Sequence, residues 1–293
     1  MSGDLAENLS PGYEQMLVIG LGLLGGSVAL AAREKGLAHR ISALSRPGAP
    51  HDRAKAAGLI DSFSEDLEAS VAAADFILLA QPVEAIRKII PAVLKSAKPG
   101  AIITDVGSTK SVLVAAAETV STPAFFVGSH PMAGSHVTGW DQGRADLFHS
   151  ATTYVTVTEK TDLSAAARVA LFWETLGARV IITHPKRHDE LAALVSHIPH
   201  LAAVGLMQFL AASGEDTHLL QLASGPGLRD TTRIAMGSAQ IWSEICAHNA
   251  GPIAERLSSV AAELESIAEL VRKGDAKKLS AVLEEAAEMR KKF

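Results

Sequence analysis

The side chain best suited to chemistry in this 293-residue chain is His130, inside Gly128-Ser-His-Pro-Met-Ala-Gly134. An imidazole exchanges protons near neutral pH and so serves as a general base or acid. The proline after it fixes the path of the chain, and the surrounding glycines let a ligand approach the backbone. Phe125-Phe126-Val127 precedes the motif and reads as a strand. His130 is therefore expected on the loop just past a strand's carboxyl end, the edge where open α/β sheets bind ligands. On its own, a His-Pro pair is an ordinary turn. Other segments of the chain give it company.

Two of these lie in the second half. Ser224-Gly-Pro-Gly-Leu-Arg-Asp-Thr-Thr-Arg-Ile-Ala235 places Asp230 three residues before Arg233. That spacing lets the acid orient the guanidinium, and an oriented guanidinium suits a two-pronged grip on a substrate carboxylate. A surface ion pair is the plainer alternative. Ser196-His197-Ile-Pro-His200 places two imidazoles three apart, on one helix face. No carboxylate or cysteine joins them at ligand spacing, so they read as the lining of a polar cleft and no metal site is expected. Ser135, directly after the His130 motif, is a further substrate-binding candidate.

These residues need a scaffold, and the N-terminal region supplies its first piece. Gln15-Met-Leu-Val-Ile19 has the length and apolarity of a strand, and it runs into Gly20-Leu-Gly22-Leu23-Leu24-Gly25 and a helix-like segment closed by Gly36. This is the glycine fingerprint of a dinucleotide site in its required setting, after a strand and opening a helix. Gly20 permits the tight turn, Gly22 lets the backbone approach a pyrophosphate, and Gly25 allows close helix–strand packing. The helix start at Leu23 and Leu24 offers N–H groups and a positive dipole end to phosphates. The next strand, Ile41–Leu44, leads to Ser45-Arg46, where an NAD site usually carries an acid for the ribose 2′-hydroxyl. With a hydroxyl and a guanidinium there instead, NADP is favoured, and NAD stays possible if Arg46 is only a solvated loop charge.

Beyond that point strands and helices keep alternating. Phe76–Ala80, Ala101–Asp105, Tyr154–Val157 and Arg179–Ile182 read as strands, with helical stretches between them, including Leu163–Leu176. The expected fold is an α/β Rossmann-type doubly wound parallel sheet over residues 13–184. From 185 to 293 the texture is Ala/Leu-rich with helical period: Arg187–Ala212, Ser238–Asn249, Pro252–Lys273 and Ala276–Lys292. This part is expected to be an all-α substrate and dimerisation domain that pairs with a second copy, giving a homodimer. A net charge of −5 gives no reason to expect nucleic acid or a membrane surface as partner. The single cysteine, Cys246, excludes an intrachain disulfide framework. From the polar, acidic start no signal peptide is expected, nor is a charge-free apolar stretch long enough to span a bilayer, so a cytoplasmic location is expected.

Taken together, Val-Ile-Gly-Leu-Gly-Leu-Leu-Gly-Gly-Ser, Asp105-x-Gly-Ser-x-Lys110, the His130 motif, Ser-His-x-Pro-His and Arg-Asp-x-Thr-Arg-Ile-Ala resemble the prephenate/arogenate dehydrogenase family of tyrosine biosynthesis. The resemblance runs from about Gln15 to beyond Trp242. It implies oxidative decarboxylation of prephenate or arogenate, with hydride transfer to NAD(P). It also implies that His130 hydrogen-bonds the substrate's ring hydroxyl and acts as the base, and that Ser108 supports both. Arg233 would bind a substrate carboxylate, and His200 would lie in the substrate cleft. The family often has Glu where this chain has His136, so nothing resting on that glutamate carries over. Neither a fused chorismate mutase nor a C-terminal regulatory domain is expected. A 3-hydroxyacid dehydrogenase, an imine reductase or a non-catalytic NADP sensor would share the glycine loop. None of these accounts for the His130 motif together with Thr-Arg-Ile-Ala.

Overall fold

The computed structural model describes residues 12–44, 46, 51–134 and 139–293. They fall into two units, one running to Ala192 and taking in Met236–Asn249, the other made of Ala193–Ala235 and Ala250–Phe293. The expected division at 184/185 differs from this in one respect that matters for chemistry. The segment Pro185–Ala192 and a later helix belong with the sheet.

In the first unit, β1 (Tyr13–Ile19), β2 (Ala38–Leu44), β3 (Ser62–Ser64), β4 (Phe76–Leu79), β5 (Ile102–Asp105), β6 (Phe125–Pro131), β7 (Thr152–Thr156) and β8 (Arg179–Thr183) form one sheet. Their order is β3-β2-β1-β4-β5-β6-β7-β8. Side chains alternate between its faces. Met16, Val18, Phe76 and Leu78 enter one core, while Leu17, Ile19, Ile77 and Leu79 enter the other. Burial on both faces explains the uninterrupted apolar runs of β1 and β4. The chain leaves β1 toward β2 and β3, then returns to place β4 on β1's other side, with Ile19 opposite Leu79. Strand order thus reverses between β1 and β4, which makes the crevice beyond their carboxyl ends the natural ligand site.

The sheet is parallel from β3 to β6, but β7 runs antiparallel to β6 and β8 parallel to β7. Strand direction is set by connection geometry, which apolar runs do not encode. The antiparallel partner has a local consequence. β6 pairs with β5 only through Val127, and from Gly128 to Pro131 it pairs with β7 alone. His130 is therefore a strand residue opposite Tyr154, not a loop residue as expected. It still lies beyond the last β5–β6 pair.

Helices α1 (Leu23–Glu34), α2 (His51–Ala56), α3 (Leu67–Ala73), α4 (Val83–Ser96), α5 (Ser111–Glu118), α6 (Leu163–Thr175) and α7 (Pro185–Ala192) accompany the strands. Asp66 and Asp162 cap α3 and α6, each accepting from a backbone N–H three residues on. The second unit has a π-helical turn (Ala193–His197), α8 (Ile198–Ala211), α9 (Thr217–Ala223) and α10 (Pro226–Thr232). It continues with a 3₁₀ turn beginning at Arg233, α12 (Ala250–Lys273) and α13 (Ala276–Arg290). The intervening α11 (Ala239–His248) belongs to the first unit, where Glu244 accepts from the Glu84 N–H at 3.2 Å.

One expectation from composition is corrected. Leu191–Gly214 contains no Asp, Glu, Lys or Arg, and the helical run Pro185–Ala211, 27 residues, is long and apolar enough to cross a membrane by length and composition alone. Within the charge-free stretch, His197, Pro199 and His200 interrupt the apolar residues and mask its overall apolarity.

Candidate functional site

The Gly20–Gly25 loop sits at the reversal between β1 and β4, and its geometry discriminates among the glycines. Gly20 has φ +104°, and a Cβ there would collide with the Ala80 carbonyl. A Cβ on Gly25 would collide with the Gly20 carbonyl oxygen and press on Val18. Both positions exclude a side chain for reasons internal to the fold. Gly22 is different, because a Cβ there would meet no protein atom within 4 Å. It caps α1 without any side-chain hydrogen bond, so the N–H groups at Leu23 and Leu24 open the helix beside clear space. A cradle with an open glycine and an uncapped helix start fits a dinucleotide pyrophosphate. Arg46 is exposed after β2, and Ser45 lies outside the described residues.

Further along the sheet, past β5, is a buried polar cluster. His130 is 7 % exposed, His188 is fully buried and Asp189 is 4 % exposed. His130 Nδ1 and His188 Nε2 are 2.9 Å apart, and His188 Nδ1 donates to Asp189 Oδ1 at 2.8 Å. Asp189 is pinned further. Its Oδ1 accepts from Lys110 N at 2.7 Å, its Oδ2 accepts from Ser111 N at 2.9 Å, and its carbonyl accepts from Asn249 Nδ2 at 2.8 Å. It therefore caps α5 from a helix 78 residues away. Burial works against ionisation of Asp189, but the bonds from His188, Ser111 and Lys110 outweigh it and hold the carboxyl below its usual range. Burial pushes His188 down toward its neutral form; Asp189 acts against this, and the Lys110 charge adds to it.

A second buried pair underlies the cluster. Lys110 Nζ contacts Asp105 Oδ2 and donates to the Ser129 carbonyl at 2.7 Å. Asp105 also accepts from Gly107 N at 2.7 Å and Ser129 N at 3.1 Å. Ser129 Oγ in turn accepts from Trp173 Nε1 at 3.0 Å. This network locks the end of β5 to the residue before His130. Ser108 lies half-buried in the same β5–α5 loop. Sequence reading singled out neither His188 nor Asp189, and noted Asp105 and Lys110 only as parts of a motif.

Ser135 and His136 lie outside the described residues. The second unit holds the remaining candidates. His197 ends the π-helical turn and His200 lies in α8, both buried. His200 is pushed down by burial and hydrogen-bonds the Ile234 main chain, which works the other way. That contact brings α8 against the turn that begins at Arg233. Asp230 and Arg233 are both exposed, and no ion pair joins them among the described residues, contrary to the expected orientation of one by the other. α10 ends at Thr232 and the chain tightens into the 3₁₀ turn, which breaks the α-helical spacing that expectation required. Among the described residues no cluster of His, Cys, Asp and Glu suited to a metal ion forms.

The prephenate dehydrogenase nucleotide-binding domain matches residues 28–182, and the dimerization domain of the same family matches 184–285. This chain belongs to the prephenate dehydrogenase family. It is 30 % identical to a cyclohexadienyl dehydrogenase of Zymomonas mobilis, with 87 % of each chain covered. It is 32 % identical to a prephenate dehydrogenase of Bacillus subtilis, over 91 % of this chain and 72 % of that one. The crystal structure of a prephenate dehydrogenase from Aquifex aeolicus, in complex with hydroxyphenyl propionate and NAD+, superposes with a TM-score of 0.88. That match has 28 % identity and covers 95 % of this chain and 98 % of the other.

Proposed function

We propose that this prephenate dehydrogenase family member oxidatively decarboxylates prephenate, arogenate or both in tyrosine biosynthesis. The sheet-bearing unit serves the dinucleotide, and the helical unit serves substrate and pairing. Both substrates carry a cyclohexadienol ring with a carboxylate opposite the hydroxyl. Loss of a hydride and the hydroxyl proton gives a dienone, loss of carbon dioxide then leaves a phenolate, and return of a proton gives the aromatic phenol, so the step is strongly downhill. A bound nicotinamide supplies the two-electron acceptor. The protein's task is to align the ring and take the proton.

The observation that carries this reading is the fixed orientation of His130. His188 faces its Nδ1, so Nε2 is the nitrogen that takes the proton from the ring hydroxyl. Ser108, in the loop after β5, supports the hydroxyl and His130. Arg233 binds a substrate carboxylate, with His200, His197 and Ser135 around the substrate and Asp230 beside the arginine. Gly20, Gly22, Leu23, Leu24 and Gly25 hold the pyrophosphate, and Ser45 and Arg46 take the 2′-phosphate of NADP in preference to NAD.

Absorbance at 340 nm, followed with each substrate and each cofactor, tests the activity. Turnover is expected with prephenate or arogenate, and the higher kcat/KM with NADP. No turnover with either substrate would overturn the activity, whereas strong preference for NAD would overturn only the role of Ser45 and Arg46. Gly22→Ala separates fold from binding. A methyl there meets no protein atom, so the melting temperature is expected to hold. Dinucleotide affinity is expected to fall at least tenfold, about 1.4 kcal/mol. Unchanged affinity would move the pyrophosphate away from this loop.

The same reading makes the protein a cytoplasmic homodimer. The helical unit exposes Phe209, Leu219, Leu222, Leu264, Val271 and Leu283, apolar side chains that a pairing surface would cover. A two-fold pair of copies covers such surface, and closed pairs are the commonest assembly. Light scattering at micromolar concentration is expected to give twice the 30.6 kDa of one chain. A monomer, or protein recovered only with membranes, would refute the pairing.

A further inference from the structure

We propose that His188 and Asp189 act as a positioning relay behind His130, with Asp189 fixing the tautomer of His188 and His188 fixing that of His130. The proposal rests on the reading of His130 as the base. It starts from the donors and acceptors available. Asp189 accepts two backbone N–H bonds, from Lys110 and Ser111, so its carboxylate is present as an acceptor. His188 Nδ1 must then carry the hydrogen that meets Asp189 Oδ1 at 2.8 Å. If His188 Nε2 also carried a hydrogen, the ring would be an imidazolium. His188 is fully buried, and its surroundings disfavour that form. His188 Nε2 therefore presents a lone pair to His130 Nδ1 at 2.9 Å, and the hydrogen between them belongs to His130. A neutral His130 with its hydrogen on Nδ1 has its lone pair on Nε2, the form a base requires.

The relay also acts after proton transfer. When the hydroxyl proton arrives at His130 Nε2, the ring becomes an imidazolium whose Nδ1–H points at the His188 lone pair. The positive charge is then stabilised through a neutral imidazole that is itself backed by the Asp189 carboxylate. No proton needs to leave the pair for this to help, because a hydrogen bond from the charged donor is stronger than one from the neutral ring. The groups facing His188 are Asp189 on its own helix, His130 on β6, Tyr154 on β7, and the charges of Lys110 and Asp105. The Tyr154 ring packs edge-on at 5.0 Å between centroids and fixes the imidazole plane. Asp189 is held by main-chain groups of α5 and by Asn249, so the far end of the relay is anchored to the fold.

His188→Leu fills the same buried volume with an apolar side chain and removes the acceptor. His188→Gln retains an acceptor oxygen near the position of Nε2. His188→Leu is expected to lower kcat roughly 10- to 1,000-fold while KM and dinucleotide affinity stay within about threefold. The acid limb of its kcat/KM profile should move to lower pH, because an imidazolium that loses its acceptor releases its proton more readily. His188→Gln should recover part of kcat and part of the limb. Asp189→Asn, measured alongside, should lower kcat with the same displacement of the limb. A His188→Leu enzyme with kcat within about twofold of the parent and an unmoved limb would overturn the relay. So would equal losses of kcat and melting temperature in the Leu and Gln variants with no displacement of the limb, since that is the pattern of a packing role. His130→Asn, assayed in parallel, separates the two levels. If it keeps normal turnover, the base assignment fails and the relay falls with it. If it is inactive while His188→Leu is normal, only the relay fails.

Discussion

His130→Asn is expected to lower kcat by roughly 10²–10⁴-fold, the usual contribution of a positioned general base. Asparagine is the informative replacement because its amide nitrogen can still donate toward His188 Nε2, so the buried cluster keeps its contact while the proton acceptor is lost. His130 sits on a strand paired with β7, and the main-chain bonds of that pairing do not depend on its side chain. Melting temperature and dinucleotide affinity are therefore expected to stay near their original values, within about a factor of two for the affinity. The glycine loop that serves the dinucleotide stands at the β1–β4 reversal, on other strands. If the chemical step were limited by hydride transfer alone, with water able to take the proton, the loss would be small. Steady-state kinetics at 340 nm, with binding measured separately, decide the matter, and near-normal turnover would remove His130 from the chemistry.

The residues readable from sequence were those whose meaning is local. A glycine loop between an apolar run and a helix carries its own context within twenty residues, and the structure places it where strand order reverses. The His130 motif drew notice for its residue types, but its setting was misjudged. Nothing in Phe125–Val127 shows that the strand continues to Pro131, because that extension exists only through pairing with β7. His188 and Asp189 were invisible for a related reason. They lie 58 and 59 positions from His130 and at the start of a segment whose period suggested only a helix. Helical period gives a face, not the body that the face packs on, so α11 was grouped with the other helices although it bonds to α4 and, through Asn249, to Asp189. The seven-residue helices α9 and α10 do not show in the sequence because Gly225-Pro226-Gly227, which reads as a turn, follows the first closely and opens the second.

Lys110→Met is expected to cost about 3–5 kcal/mol of stability, the range for removing one partner of a buried ion pair. Lys110 and Asp105 are both fully buried, so neither charge has water to fall back on. Burial pushes the Asp105 carboxyl up and the Lys110 ammonium down, each toward its neutral form, and their contact works the other way. Methionine fills much of the lysine stem's volume, which confines the effect to the lost charge and the lost bond to the Ser129 carbonyl. The carboxylate left behind keeps its bonds from Gly107 N and Ser129 N, but these cannot balance a whole buried charge. The sign of the pH dependence follows. In the variant the folded-state pKa of Asp105 is raised above its unfolded value, so protonation favours the fold. The deficit relative to the parent is thus largest near neutral pH and shrinks as pH falls through that raised value. Adding Asp105→Asn to Lys110→Met removes the stranded charge, and the double variant should recover part of the loss. Urea denaturation of the single and double variants at two pH values measures all of this. A single variant within about 1 kcal/mol of the parent at neutral pH would mean the pair contributes little, as many exposed ion pairs do. In that case the placement of Ser129, and with it the strand that carries His130, would have to rest on the main-chain pairing with β7 and on the Trp173 bond to Ser129 Oγ.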